Sequence, residues 1–361
     1  MANYFDSVNA GALGQRDLLG VDIDNTYPGL DLTVKFATEI AASPYNGDEW
    51  AWITARKTAG NFSGIHVKDY IPVTTTNSKT FKARIMGINT YKGYGDPTVG
   101  SHIDWCFEEL WPDRHVINPF NYNNGLIPVE NVTADGSTTT FTLTKEMNSV
   151  NTITEGGTGL SGWSYDANTF TITFEEAPAA GTLIVTGTGT EYPWLASDAY
   201  HWANSLSGQI PNGTGLNPAV KHVDYTQGGI YYYLPQKLKN VIIEKRMLLP
   251  KRYSATGVLS NPNSWGWENI GKIWFPTECE VYGQGVWANN GYEMGGSALQ
   301  YPLFAGNMNR VKYRNGSRDY WWLLSDASGG TTLWCAVSNC GHAHTSNTSS
   351  TYVAAPVCFR T

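Results

Sequence analysis

The sequence predicts an α+β protein in which a small antiparallel β-sandwich is inserted into a larger mixed domain. Three observations support this: helical apolar spacings recur in three places, residues 126–191 are dense in Thr, Gly and Val with strict alternation, and the chain from Ser254 onward consists of short apolar pieces between polar turns. The expected organisation is an N-terminal anchoring region over 1–43, a main domain over 44–125 and 192–361, and the inserted sandwich over 126–191.

Composition already excludes several classes of protein. The 24 Lys and Arg against 31 Asp and Glu give a net charge of −7, which argues against a surface that binds nucleic acid. The charged fraction of 15% with 13% aromatic residues argues against disorder. No apolar run approaches the ~20 residues that span a bilayer, and the first residues lack a signal-peptide pattern. We therefore expect a protein made in a cytoplasm that does not insert into a membrane.

The opening stretch to about Ser43 contains short apolar pieces divided by a turn at Asn25–Gly29. Two interpretations remain open from the sequence. The stretch is either an arm that docks on another protein or the first strands of the main fold, since chain termini are often loose unless they are tied down.

Three helices are predicted in the main domain: one begins at Ser101 and ends before Pro112, one runs from near Pro193 to Leu206, and one opens at Pro235 and ends before Pro250. Ser101 is suited to be an N-cap, and Pro235 is suited to the first helical turn. The middle segment has apolar residues on one helical face, followed by a glycine that could end the helix. These helices carry no recognisable chemistry, so we interpret them as packing elements.

The segment between the first two helices has the pattern of strands. Thr140–Thr144 and Phe170–Phe174 alternate strictly between apolar and polar residues, and Leu183–Thr186 supplies a further strand. Asp166–Asn168 and Ala177–Gly181 are typical turn sequences. This composition favours a complete small sandwich, inserted at a loop of the surrounding domain.

Several sequence blocks of the main domain occur in a characteristic order. They are Trp265-Gly266-Trp267, Ile270-Gly271-Lys272, Pro276-Thr277-Glu278, Glu280-Val281-Tyr282-Gly283, Tyr320 to Ser325, and the closing Pro356 to Arg360. Together they resemble the C-type-lectin-like modules of phage and prophage surface proteins, including variable proteins diversified by retroelements. The insert is similar to the Ig-like modules of phage structural proteins. The sequence departs from the family at Leu324, where an Arg is usual, and at Ala354–Pro356, which replaces Gly-Val-Arg-Pro.

The resemblance implies a C-type-lectin-like fold whose exposed face is the stretch Ser325–Tyr352. This stretch mixes Ser, Asn and Gly with isolated large side chains, a composition that antibody paratopes also use. The candidate ligand-binding residues are Trp334, Ser338, Asn339, His342, His344, Asn347 and Tyr352. A long solvated loop around one core Trp is the alternative interpretation.

The resemblance further implies a non-enzymatic virion surface protein, on a tail fibre or head fibre. It would bind a bacterial surface glycan or protein, attach to other virion proteins through its N-terminal region, and form a homo-oligomer, with a trimer expected because several weak sites together give avidity. Neither a cofactor nor a metal is expected. The first alternative function is a purely structural capsid or tail decoration.

A second alternative is an oxidase of the formylglycine-generating type, which shares the fold and uses two late cysteines. Cys335 and Cys340 imitate that placement, but no Lys or Arg lies between Arg318 and Arg360 to stabilise a thiolate. Zinc binding by these cysteines with His342, His344 and Cys358 would need a more regular spacing.

Calcium binding and carboxylate catalysis also have weak support in the sequence. Asn261-Pro262-Asn263 resembles a lectin calcium motif but lacks its carboxylate. Glu278 and Glu280 would share a face of a strand, and Glu108–Glu109 and Glu175–Glu176 are adjacent. Catalytic carboxylates are brought together in space, so neighbouring positions alone predict no activity.

Overall fold

A computed structural model describes residues 27–94, 96–120, 128–147, 149–187, 189–213, 220–252, 264–288, 299–328 and 332–361. Within these ranges the protein is α+β, as predicted: short helices surround several small sheets whose strands are almost all antiparallel. The helices are α1 Leu32–Lys35, α2 Ala37–Ala41, α3 Glu49–Thr58, α4 Pro193–Ala196, α5 Asp198–Asn204, α6 Gly229–Tyr233, α7 Gln236–Lys239, α8 Glu278–Tyr282 and α9 Pro302–Ala305.

One antiparallel sheet joins distant parts of the chain. Its strands are β1 Tyr70–Thr74, β2 Thr80–Ile88, β3 Ile103–Phe107 and β20 Cys358–Arg360, in the order β1-β2-β3-β20. The last strand of the chain thus pairs with β3, with Arg360 opposite Asp104. This pairing fixes the C-terminal end of the chain inside the main domain.

The prediction of a helix from Ser101 is wrong, because this segment contains β3. All five residues of β3 are buried. A strand that is covered on both faces is apolar at nearly every position, so the helical spacing of Ile103, Phe107 and Leu110 carries no information there. Asp104 pairs with Arg360 in the interior and does not charge a helix N-terminus.

The described part of the N-terminal region packs onto the main domain. Leu32 in α1 and Ile40 in α2 belong to its hydrophobic core. Asp48 then caps α3 by accepting hydrogen bonds from the backbone N–H groups of Trp50 and Ala51, each at 3.0 Å. Residues 1–26 of the expected anchoring region lie outside the described residues, so the docking role of this region stays a prediction.

The second predicted helix is confirmed, although it is divided. Ser197 ends α4 and caps α5 by accepting a hydrogen bond from the Tyr200 N–H. The helix ends at Ser205, which has a left-handed φ of 54°, while Gly208 lies in a strand. The third prediction is only partly right, because α7 is four residues long and the chain before Pro250 is a strand.

The remaining strands of the main domain form two hairpins and a larger sheet. The hairpins pair β11 Ser207–Pro211 with β12 Val220–Asp224, and β13 Arg246–Pro250 with β14 Trp265–Asn269. The larger sheet contains β15 Lys312–Arg314, β16 Ser317–Asp326, β17 Leu333–Val337 and β18 Ala343–Asn347 in that order, with β19 Val353–Ala354 parallel to β16. A 3-10 helix, Asn307–Arg310, precedes β15.

The strands predicted for the inserted segment are confirmed. The structure has β4 Val129–Ala134, β5 Thr140–Thr142, β6 Val150–Glu155, β7 Thr158–Gly159, β8 Trp163–Asp166, β9 Thr171–Phe174 and β10 Gly181–Gly187. They form one sheet in the order β4-β10-β6-β7 and another in the order β5-β9-β8. A separate hydrophobic cluster, which includes Phe141, Ile153, Ile172 and Val185, lies within this segment.

The inserted segment contacts the main domain at Glu146. Its carboxylate accepts a hydrogen bond of 2.7 Å from the His222 N–H, and its carbonyl oxygen accepts one from the Gln209 side chain. Both partners lie in the β11–β12 hairpin, which therefore binds the insert through two hydrogen bonds. Among the described residues, none of the helices has the length and apolar character needed to cross a membrane.

Candidate binding surface

Three buried tryptophans anchor the sheet that carries the predicted binding stretch. Trp321 and Trp322 lie in β16 and Trp334 lies in β17, and each is fully buried. Their indole N–H groups donate to the carbonyl oxygens of Arg310, His115 and Leu323 at 2.9, 3.0 and 2.7 Å. Because each of these buried donors is satisfied, the three rings fill space without an uncompensated polar group.

The prediction that Trp334 belongs to the binding surface is therefore wrong. Its side chain has a relative exposure of 0% and packs in the main core. β17 is a central strand between β16 and β18, and its residues Trp334–Val337 are all buried, so the strand is covered on both faces and no position on it is free for a ligand. Trp334 positions the sheet and does not meet a ligand.

The turn between β17 and β18 has a defined conformation. Ser338 and His342 close it, because the Ser338 N–H donates to the His342 carbonyl at 2.8 Å and the Gly341 N–H donates to the Ser338 carbonyl at 2.9 Å. Gly341 has a φ of 84°, which suits the left-handed position of a three-residue hairpin loop. The Ser338 hydroxyl also accepts a 3.1 Å hydrogen bond from the His342 N–H.

Residues of α8 and of the 3-10 helix also contact this turn. The Tyr282 hydroxyl, at the end of α8, donates to the Gly341 carbonyl at 3.2 Å. The Arg310 guanidinium lies over the Tyr282 ring, 4.9 Å from its centroid. A Cβ on Gly341 would approach Arg310 and Val311 to 3.3 Å, so the turn sits directly against the 3-10 helix. The hairpin is thus anchored at its tip as well as along its strands.

The other predicted residues lie at or near the surface of the hairpin. His342, His344, Asn347 and Tyr352 are exposed, while Ser338 and Asn339 are half-buried. Tyr352 is the most open, with 74% of its surface accessible. His342, directly before β18, and His344 are two residues apart and so point to one side of the hairpin, whereas Asn347, three residues after His344, points to the other side. We call these six residues the hairpin surface.

Sequence reasoning missed two tyrosines and an arginine that border the hairpin surface. The ring of Tyr320, in β16, lies 5.1 Å from the His344 ring. Tyr313 is 41% exposed, and its hydroxyl accepts a 3.3 Å hydrogen bond from Arg318 Nε. This hydrogen bond raises the pKa of Arg318, and the neighbouring Cys340 adds to that shift. The alternation of Arg318 and Tyr320 on one side of a strand was the signal that could have found them.

The two cysteines of the oxidase alternative do not form one site. Cys335 is buried in β17 opposite Thr345, whereas Cys340 is exposed in the turn. Ser338, the first residue of the turn, is three positions along the extended chain from Cys335, a distance of about 10 Å. Among the described residues there is no group of three or more His, Cys, Asp or Glu side chains placed to hold a metal ion. The motif Asn261-Pro262-Asn263 lies outside the described residues.

The two carboxylates of α8 are structural groups in the interior, so the expectation that they share a strand face is wrong. Glu278 Oε2 accepts three backbone hydrogen bonds, from Val286, Trp287 and Ala288 at 2.8, 2.8 and 2.9 Å. Glu280 completes a capping box with Thr277. The helix follows from this Thr-x-x-Glu pattern.

In the interior of the main domain, Glu280 belongs to a buried ionic network with Lys245, Asp104 and Arg360. Lys245 pairs with Glu280, and Arg360 pairs with Asp104 through bonds of 2.7 and 2.9 Å. The Tyr301 hydroxyl accepts from Lys245 at 3.0 Å and donates to Asp104 at 2.9 Å, so it joins the two pairs. Two cations thus balance two carboxylates in the interior.

This network connects three parts of the fold that are distant in sequence. Asp104 lies in β3, Arg360 in β20 and Glu280 in α8. Although burial raises the pKa of the Asp104 carboxyl, Arg360 and His102 outweigh it and lower that pKa to about 2. Since α8 carries both Glu280 and Tyr282, the same helix ties the network to the hairpin turn.

Comparisons with known proteins add no relative to this description. No protein-family model, no curated protein and no solved structure matches the chain.

Proposed function

We propose that this chain is a non-enzymatic virion surface protein of a tailed phage or prophage, of the tail-fibre or head-fibre type. Its hairpin surface binds a bacterial surface glycan or protein. The observation that supports the proposal is a hairpin anchored by three buried tryptophans and by Tyr282, which exposes His342, His344, Asn347 and Tyr352. Rigid anchoring lowers the entropy lost on binding, and Tyr, His and Asn provide ring faces and hydrogen bonds.

The rest of the proposal follows the resemblance in the sequence. The C-type-lectin-like fold presents the hairpin surface, the N-terminal region attaches to other virion proteins, and the inserted segment is a spacer or a second adhesive surface. The protein acts as an oligomer, proposed to be a trimer, because several weak sites presented together bind with much higher avidity than one. Its net charge of −7 does not favour long-range attraction to an anionic cell surface, so short-range contacts must supply the affinity.

A binding assay with a surface variant tests this function. The variant replaces Asn339, His342, His344, Asn347 and Tyr352 by Ala and keeps Ser338, whose hydroxyl stabilises the turn. The matched control replaces Lys79 and Tyr232, which are exposed and lie in other parts of the main domain. Labelled full-length proteins are applied to a panel of bacterial strains and to a glycan array. We expect the surface variant to lose binding and the control to keep it.

The alternative of a purely structural decoration predicts a different result. In that case the wild-type protein binds no cell, glycan or bacterial surface protein, and the surface variant is incorporated into particles as well as the wild type. Binding that persists in the surface variant would show that adhesion lies elsewhere, with the inserted segment as the next candidate. The oxidase alternative is tested with Cys340→Ser on a thiol-containing peptide. It requires turnover by the wild type that this variant loses.

A further inference from the structure

Two cysteines outside the hairpin surface lie opposite each other on adjacent strands of the β1-β2-β3-β20 sheet. Cys106 in β3 is directly opposite Cys358 in β20, and both are fully buried. On the side away from β3, the Cys358 N–H donates to the Trp274 carbonyl at 3.3 Å and the Cys358 carbonyl accepts from the Trp274 N–H at 3.0 Å. The next pair along β3 and β20 is joined by a hydrogen bond of 2.9 Å from the Phe107 N–H to the Val357 carbonyl. Cys106 and Cys358 are therefore a non-hydrogen-bonded antiparallel pair.

This class of pair brings side chains closest together. The Cα atoms of such a pair lie about 4.5 Å apart, within the range of roughly 4.4–6.8 Å that a disulfide spans. A bond between the two sulfurs therefore requires no movement of the strands.

A cation and a cleft lie beside the pair. Lys312 Nζ donates to the carbonyl oxygens of Phe107 and Glu108, at 2.5 and 3.3 Å, beside Cys106. Burial alone would raise the pKa of the Cys106 thiol, but the hydrogen bond from Cys358 and the charge of Lys312 lower it to about 6. Burial raises the pKa of Cys358. Cys106 and Lys312 also line a cleft of about 320 Å³, a volume many times that of one water molecule.

We propose that Cys106 and Cys358 form a reversible disulfide that joins β20 to β3 once the protein leaves a reducing compartment, with hydrogen peroxide as a sufficient oxidant. The Cys106 thiolate attacks one peroxide oxygen, which breaks the O–O bond, gives the Cys106 sulfenic acid and releases hydroxide. The Cys358 sulfur then attacks the Cys106 sulfur, and the sulfenic oxygen leaves as water with the Cys358 proton. In total, the dithiol loses two electrons and the peroxide becomes two molecules of water.

The order of these steps is tested with single variants of the full chain. Reduced protein is treated with hydrogen peroxide, quenched with catalase, denatured in an alkylating reagent and analysed by mass spectrometry. We expect the wild type to fall from five alkylated cysteines to three, with one crosslinked peptide that joins Cys106 to Cys358. Cys340→Ser keeps this crosslink. Cys358→Ser accumulates a dimedone-reactive sulfenic acid at Cys106, while Cys106→Ser leaves Cys358 unmodified.

The pH dependence of oxidation in the wild-type protein supplies a readout that needs no variant. The wild-type oxidation rate should be half-maximal near pH 6, in line with the pKa of Cys106. In Lys312→Met the half-maximal pH should shift upward, because one of the two interactions that lower the pKa of Cys106 is lost while the hydrogen bond from Cys358 remains. The proposal is overturned if all five cysteines remain alkylated, if the crosslink joins a different pair, or if the wild-type rate rises only above pH 8.

Discussion

The buried ionic network and the hairpin surface contain similar kinds of polar residues, yet they differ in what those residues contact. In the network, Lys245, Glu280, Asp104 and Arg360 are paired with one another and closed off from solvent. In the hairpin, His342 and His344 face solvent. The network fixes where the strands and α8 lie, and the hairpin displays side chains on that frame.

This difference separates residues that the fold needs from residues that the fold tolerates. Removing one member of a buried charge pair leaves the other charge without compensation, whereas replacing an exposed polar side chain removes little. A protein built this way can change its surface without changing its scaffold. Stability measurements on variants of the two regions test that separation.

The largest effect is expected for Glu280→Gln, which removes the charge that compensates Lys245 and weakens the 2.6 Å hydrogen bond from the Tyr91 hydroxyl. We expect the free energy of unfolding to fall by about 3–5 kcal/mol. Chemical denaturation measures it, with exposed Glu176→Gln as the control, for which the change should be under about 0.5 kcal/mol. An equal loss of unfolding free energy in Glu280→Gln and Glu176→Gln would contradict the distinction between buried paired charges and exposed ones.

A pH effect is expected from His102, which lies next to the network. Its Nε2 accepts a 3.3 Å hydrogen bond from the Tyr91 N–H, so the ring is neutral, and burial lowers its pKa from 6.5 to about 4. Between these two values the unfolded chain binds a proton that the folded chain does not, so stability falls as the pH falls. The stabilisation is complete above pH 6.5, and about 2 kcal/mol is lost between pH 7 and pH 5.

Denaturation of wild type and His102→Gln at pH 7 and pH 5 isolates this contribution. The variant should lose about 2 kcal/mol less than the wild type over the same interval. A wild-type stability that rises on acidification from pH 7 to pH 5, or an equal loss in both proteins, would contradict the assignment of His102 as a neutral buried base.

A smaller effect is expected where the scaffold meets the hairpin. Tyr282→Phe removes the hydroxyl that donates to the Gly341 carbonyl at 3.2 Å and keeps the ring beside Arg310. We expect a loss of about 1 kcal/mol in unfolding free energy, together with faster hydrogen exchange of the Gly341 N–H. An unchanged exchange rate would show that the turn does not depend on this contact.

The α+β class and the strands of the insert could be predicted from the sequence, because strict apolar–polar alternation over 140–144 and 170–174 is typical of half-buried β-strands. Sequence reasoning failed at β3, where burial on both faces hides the strand period, and at Trp334, where a mixed composition concealed a core position. The buried network could not be predicted from the sequence, because Asp104 and Arg360 lie in the first and last thirds of the chain and meet only in the folded protein.

The most direct test of the central claim measures stability and binding together on the five-residue surface variant. Because those side chains lie outside the core, we expect its unfolding free energy to stay within about 1 kcal/mol of the wild type, while binding to the bacterial cells that the wild type recognises disappears. Unchanged binding would contradict the claim, and so would a stability loss as large as that of Glu280→Gln.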